Sequence, residues 1–160
     1  MEENRKAQIK NFVRKEFDIE IGDKYIEDYD QALTHYNDDR HRGTRKPERL
    51  AFLGDAYLEL IVREYLFNYK DEFSLEEMNE LKEPLVENDG WVKIAEKIGL
   101  GEQIVTIQHG KQIENITEGR TKILARSFEA LVAVLSYDSS LDNPKEKLID
   151  LFIKLDYLSE

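Results

Sequence analysis

The chain has no cysteine in its 160 residues, so disulfides and thiolate metal sites are excluded and a reducing cytoplasm is the default compartment. No stretch approaches the roughly 20 apolar residues that a membrane-spanning helix needs. The first ten residues are charged rather than apolar, so the reading is a soluble, unprocessed protein. Basic charge is also short: 23 Lys and Arg stand against 34 Asp and Glu, a formal net charge of −11. That balance argues against a domain that grips nucleic acid by bulk charge alone, and any such binding must be local. Alternating strand patterns, tandem repeats and low-complexity linkers are absent. What remains is one domain over 1–160, all-α in class, with enough apolar content for its own core.

Helical periodicity runs through most of the chain. Ile9, Phe12 and Val13 fall on one face of a first helix, with Phe17 closing it. A second helix is predicted from a cap at Asp23, carrying Ile26, Tyr29 and Leu33 inward and ending near His35. Residues 37–44 read as a polar loop, and Pro47 suits the first position of a helix over 48–69. That helix is apolar on so much of its circumference that it is expected to be the buried central one. Ser74 and Glu77 form a capping box for a fourth helix through Met78, Leu81 and Leu85, kinked by Pro84. Trp91, Ile94, Ala95 and Ile98 predict a short fifth helix ended by Gly99 in a left-handed turn, with Trp91 in the core. The pattern fades over 105–118, read as a loop with one extended or short helical piece. It returns from Ile123 to Leu135, and Pro144 opens a last helix buried through Leu148, Leu151, Phe152 and Leu155.

Two features carry chemistry. Glu48, Asp55 and Glu59 are spaced by seven and four residues, so all three can project along one side of the central helix. Glu129 lies in a second apolar helix, flanked by Phe128, Ala130, Leu131 and Val132. A carboxylate there needs a partner or a proton, because an unpaired buried charge costs roughly several kcal/mol. Carboxylates from two packed helices can share a hard cation such as Mg²⁺ or Mn²⁺, which activates water against a phosphodiester. Spacing also allows the plainer reading, in which Asp55 caps or bridges to an Arg and Glu129 pairs with Arg126 one turn earlier. The second feature is the basic segment Arg40, His41, Arg42, Arg45, Lys46 and Arg49, placed just before the acidic helix.

Residues 48–56, ERLAFLGDA, resemble the signature of the ribonuclease III family, which typically reads ERLEFLGD followed by Ala or Ser. Gln31 to His35 resembles the family's ALTH element. Leu85-Val86, Ile94-Ala95 and Gly99-Leu100-Gly101 resemble its LV, IA and LGLG stretch. Gly119-Arg120, Ile123 to Ala125, Phe128 to Leu131 and Tyr137-Asp138 resemble its later GR…ILADAFEAL…YLD block. The resemblance covers roughly 5–157. It implies a helical endonuclease domain that forms a two-fold homodimer, cradles double-stranded RNA along the interface and carries one metal-dependent site per protomer for RNA processing. The aromatic residue matching Phe52 inserts into the partner in that family, which makes Phe52 the expected dimer anchor; ordinary core packing is its alternative. Arg40, Arg42, Arg45 and Lys46 become the expected RNA contacts. His35 is expected to cap or hydrogen-bond within the fold, and His109 falls in the uninterpreted loop.

The departures bear on the site. In full-length bacterial members the resemblance implies metal ligands at the positions of Ala51, Asp55, Arg126 and Glu129. Ala51 offers no oxygen, and Arg126 brings a guanidinium where the family has a carboxylate. Ala51 to Ala56 also resembles the mini-ribonuclease III subgroup, which reads ALAYLGDA and lacks the later Asp. The family's frequent companion, a C-terminal double-stranded-RNA-binding domain, is not matched in these residues, so modest and salt-dependent RNA affinity is expected. Two functions follow as expectations. One is a Mg²⁺- or Mn²⁺-dependent endoribonuclease using Asp55 and Glu129, assisted by Glu48. The other is an inactive homodimer that binds structured RNA or a ribonucleoprotein, as ribonuclease III-like ribosomal proteins of mitochondria do; a separate RNA-binding or ribosomal partner would suit either.

Overall fold

A computed structural model describes residues 1–36, 47–69, 73–109, 111–113 and 119–159. Seven helices are described: α1 (Glu3–Phe17), α2 (Ile26–Ala32), α3 (Pro47–Tyr69), α4 (Leu75–Val86), α5 (Asn88–Lys97), α6 (Arg120–Tyr137) and α7 (Pro144–Lys154). Three short strands accompany them: β1 (Thr34–Tyr36), β2 (Val105–Gln108) and β3 (Lys111–Ile113). Among the described residues, no helix is long and apolar enough to cross a membrane.

Most local signals act as their chemistry requires, but the cap expected at Asp23 does not form: α2 begins after Tyr25, and the Asp23 carboxylate pairs with Lys6 and Lys10 instead. Ser74 Oγ accepts from the Glu77 backbone N–H, and the Glu77 carboxylate accepts in turn from the Ser74 N–H, closing the capping box. Gly99 sits at φ +68° after α5, and Pro144 opens α7. Pro84 lies inside α4, two residues before it ends at Val86. Trp91 is buried between the rings of Phe128 and Phe152, at centroid distances of 6.0 and 5.9 Å, so the fifth, sixth and seventh helices meet there.

Further expectations need correction. α2 ends at Ala32, short of His35, and Thr34 to Tyr36 is extended instead. The reason is a partner far away in sequence: β1 pairs in parallel with β2, Thr34 against Val105 and Tyr36 against Ile107. β2 then pairs antiparallel with β3, so much of the segment read as a loop joins a small three-stranded sheet. His109 stands beside its turn at φ +52°. In α4 only Leu85 is buried, and Leu81 faces outward.

The last correction concerns α3, which is buried along one side only. Ala51, Gly54, Leu58, Ile61, Val62 and Leu66 face the core. Phe52, Leu53, Leu60 and Phe67 lie on the opposite side, exposed in this single chain. An apolar groove of about 320 Å³, lined by Leu60, Leu66, Phe67, Leu75 and Met78, runs between α3 and α4. The full apolar circumference of α3 is thus not satisfied by the chain's own core.

Candidate active site

The most extensive helix pairing among the described residues is that of α3 with α6, and the two backbones come close together at Gly54. A Cβ built on Gly54 would lie 1.7 Å from the Glu129 carbonyl oxygen and 2.5 Å from its carbonyl carbon. Absence of a side chain there lets two backbones meet. The next residue on α3 is Asp55, and the residue opposite on α6 is Glu129. Their carboxylates therefore come from the two helices where the backbones meet at Gly54.

Asp55 is exposed and Glu129 is half-buried. Burial is the main cause that pushes the Glu129 carboxyl up to about 7; the charge of Asp55 adds to it, and Arg126 partly opposes it. Among the described residues, neither carboxylate has a hydrogen-bond or ion-pair partner. Two like charges side by side, one of them poorly solvated, favour a shared cation or a proton.

Glu48, at the start of α3, points to a different partner. Its Oε1 lies 3.7 Å from Nη1 of Arg126, so Arg126 reaches across to α3. The plainer sequence reading gave Arg126 to Glu129; here it acts on Glu129 through its field while its ion pair is with Glu48. His35 on β1 belongs to the same neighbourhood. Burial lowers its pKa most; Glu48 raises it and Arg126 lowers it further. Sequence reasoning did not link His35 to Glu48, because β1 was not foreseen. Ala51 is buried between Glu48 and Asp55 along α3, leaving a methyl in that row of acids.

Glu59 does not join the others. Its carboxylate is bound by Arg63 at 2.6 Å and approached by Lys82 of α4 at 3.8 Å, and these cations hold its pKa below the usual carboxylate range. Phe52 is 85% exposed, so ordinary core packing does not describe it. The expected RNA contacts Arg40, Arg42, Arg45 and Lys46 lie outside the described residues.

Among the described residues, no three His, Asp or Glu side chains converge to hold one metal ion. Two carboxylates still fit Mg²⁺, which commonly keeps several waters and takes one or two carboxylates plus substrate phosphates. The unpartnered, mutually repelling Asp55 and Glu129 are that kind of donor set.

Known proteins give the arrangement a context. Ribonuclease 3 of Staphylococcus aureus is 37% identical over 152 residues, covering 89% of this chain and 61% of that protein. Ribonuclease 3 of Nitratiruptor sp. is 32% identical over 145 residues, 82% of this chain and 61% of the relative. The chain thus spans about three fifths of the length of these curated relatives. A nuclease-domain structure of ribonuclease III from Campylobacter jejuni superposes with a TM-score of 0.71 at 26% identity, covering 94% of this chain and 97% of that one. A second structure of that domain, described for flexibility in a region involved in dimer formation, gives 0.68 at 27%, over 89% and 95%. The ribonuclease III domain model matches residues 48–140, which spans Glu48, Asp55, Arg126 and Glu129 and more than half of the sequence, and the chain belongs to the ribonuclease III domain family.

Proposed function

We propose that this chain is a metal-dependent endoribonuclease that cleaves double-stranded or structured RNA as a two-fold homodimer, with a site reduced to Asp55 and Glu129. The observation that carries the reading is the crossing at Gly54, which brings these two unpartnered carboxylates together from α3 and α6. A bound Mg²⁺ or Mn²⁺ supplies Lewis acidity toward the phosphoryl oxygen and lowers the pKa of water. Asp55 and Glu129 would hold that cation, Glu48 would assist through water or a second ion, and Arg40, Arg42, Arg45 and Lys46 would contact RNA phosphates. Soluble, cytoplasmic RNA processing by one domain over 1–160 is the setting this implies.

The direct test is cleavage of a generic RNA duplex at low salt with Mg²⁺, with Mn²⁺ and with chelator. Scission with either metal and none in chelator is the expected result; no scission under any condition by a folded dimer overturns it. A binding-only homodimer is the second reading, favoured by the buried methyl of Ala51 and by the Arg126–Glu48 pair. In that case the double change Ala51→Glu with Arg126→Asp creates cleavage where the natural chain has none.

The exposed face of α3 supports dimerisation. Phe52, Leu60 and Phe67 together with the α3–α4 groove form a surface suited to a second copy, and an 85% exposed Phe is a natural anchor for it. Phe52→Asp is expected to weaken the dimer by at least about 30-fold, the effect of losing a hot spot of roughly 2 kcal/mol. Light scattering across a concentration series reads it. A dimer of unchanged strength removes Phe52 from the interface.

A further inference from the structure

We propose that Arg126 is a phosphate-binding arm, tethered to Glu48 when RNA is absent and released to an RNA phosphate beside the Asp55–Glu129 pair, where it carries the positive charge that a second cation would otherwise bring. The proposal rests on the RNA-directed function above and adds a substrate contact to it.

Geometry supports both halves. The 3.7 Å separation from Glu48 is long for an ion pair, and both side chains are close to half exposed, at 43% and 46%. Such a pair is weak and screened by salt, so exchanging the carboxylate for phosphate costs little. Arg126 also stands one turn before Glu129 on α6, and its field reaches both Glu129 and His35. It is thus beside the carboxylate pair without being bound to it. A guanidinium offers a planar fork that matches two phosphate oxygens, which suits it to this role better than an ammonium. Charge balance points the same way. Ionised Glu48, Asp55 and Glu129 with Arg126 leave a net −2, which one divalent cation neutralises. Ala51 gives no further oxygen on the α3 side to anchor another.

The test uses the full chain with an RNA duplex of about 20 base pairs, in chelator, across a salt series. Arg126→Ala is expected to weaken binding roughly five- to tenfold and to flatten the slope of log affinity against log salt by about 0.9, the signature of one lost phosphate contact. Arg126→Lys should restore the slope with incomplete affinity. Glu48→Gln frees the arm and is expected to tighten binding about two- to fivefold. A Mn²⁺ titration of the RNA-free protein reads the other side: Arg126→Ala removes a repelling charge, so Mn²⁺ binds a few-fold more tightly while RNA binds less tightly. If Arg126 and Glu48 only fasten α6 to α3, Arg126→Ala and Glu48→Gln weaken RNA binding together with the slope unchanged, which overturns the proposal. Should Arg126→Ala not fold, Arg126→Lys and Glu48→Gln decide it, since unaltered binding in both also overturns the arm. A folded natural chain that binds no duplex removes the proposed function and the arm with it; one that binds equally well with Arg126→Ala removes the arm alone.

Discussion

Gly54→Ala is expected to lower stability by about 3 kcal/mol or more, although alanine is the better helix former by roughly 1 kcal/mol at an ordinary helical position. The steric term wins because the added methyl would sit 1.7 Å from the carbonyl oxygen of Glu129, and backbone cannot rotate away as a side chain does. The two helices must separate along the most extensive helix interface among the described residues, opening gaps beside Leu58, Leu131 and their neighbours. For a domain of this size the loss corresponds to about 6–12 °C in Tm. Gly22→Ala is the control: a Cβ there meets nothing within 4 Å, so the variant should be neutral. Metal affinity should fall with stability at Gly54, because the same separation parts Asp55 from Glu129. A Gly54→Ala protein with unchanged Tm and unchanged Mn²⁺ affinity would show that the crossing is looser than its backbone geometry implies.

What could be read from the sequence follows from the range of each interaction. α6 and α7 are legible because their buried positions recur at helical spacing, and their starts and neighbours carry chemical punctuation such as Pro144. Ser74 and Glu77 are three residues apart and cap each other, so sequence suffices to find them. β1 is different. Three residues are too few to show alternation, and their partners lie about seventy positions later in β2. α3 is legible as a helix but not as a half-buried one, because apolar residues left exposed on a helix read the same in sequence as those facing a core. The acidic spacing on α3 likewise overcounts. Glu59 is four residues beyond Asp55, about 6 Å farther along the axis and away from the crossing, where Arg63 and Lys82 hold it. The pairing of Arg126 with Glu48 depends on how two helices are set against each other, and no local pattern encodes that.

Asp55→Asn and Glu129→Gln are expected to abolish metal-dependent cleavage, with losses of at least about 10²-fold, the upper range for groups that merely support a metal ligand. Loss of activity alone does not separate a metal ligand from a structural residue, and the pKa of Glu129 supplies the second readout. Its folded value, about 7, lies above the ordinary 4.5, so the folded state holds a proton that the unfolded state releases. Ionisation of Glu129 therefore costs stability: the cost is absent below pH 4.5, grows as pH rises through 4.5 to 7 and stays constant above. After allowance for the part of the side chain that water reaches, the cost at pH 8 is about 1–2 kcal/mol. Glu129→Gln should accordingly raise Tm by about 2–8 °C at pH 8 in chelator, with the gain shrinking toward nothing near pH 4. Asp55→Asn removes only the repulsion and should give a smaller gain. Added Mg²⁺ or Mn²⁺ should then stabilise the natural chain at pH 8 by mass action and leave Glu129→Gln unmoved. A Glu129→Gln protein less stable than the natural chain at pH 8 would mean that Glu129 holds the fold together, and its role as a cation ligand would be lost with that result.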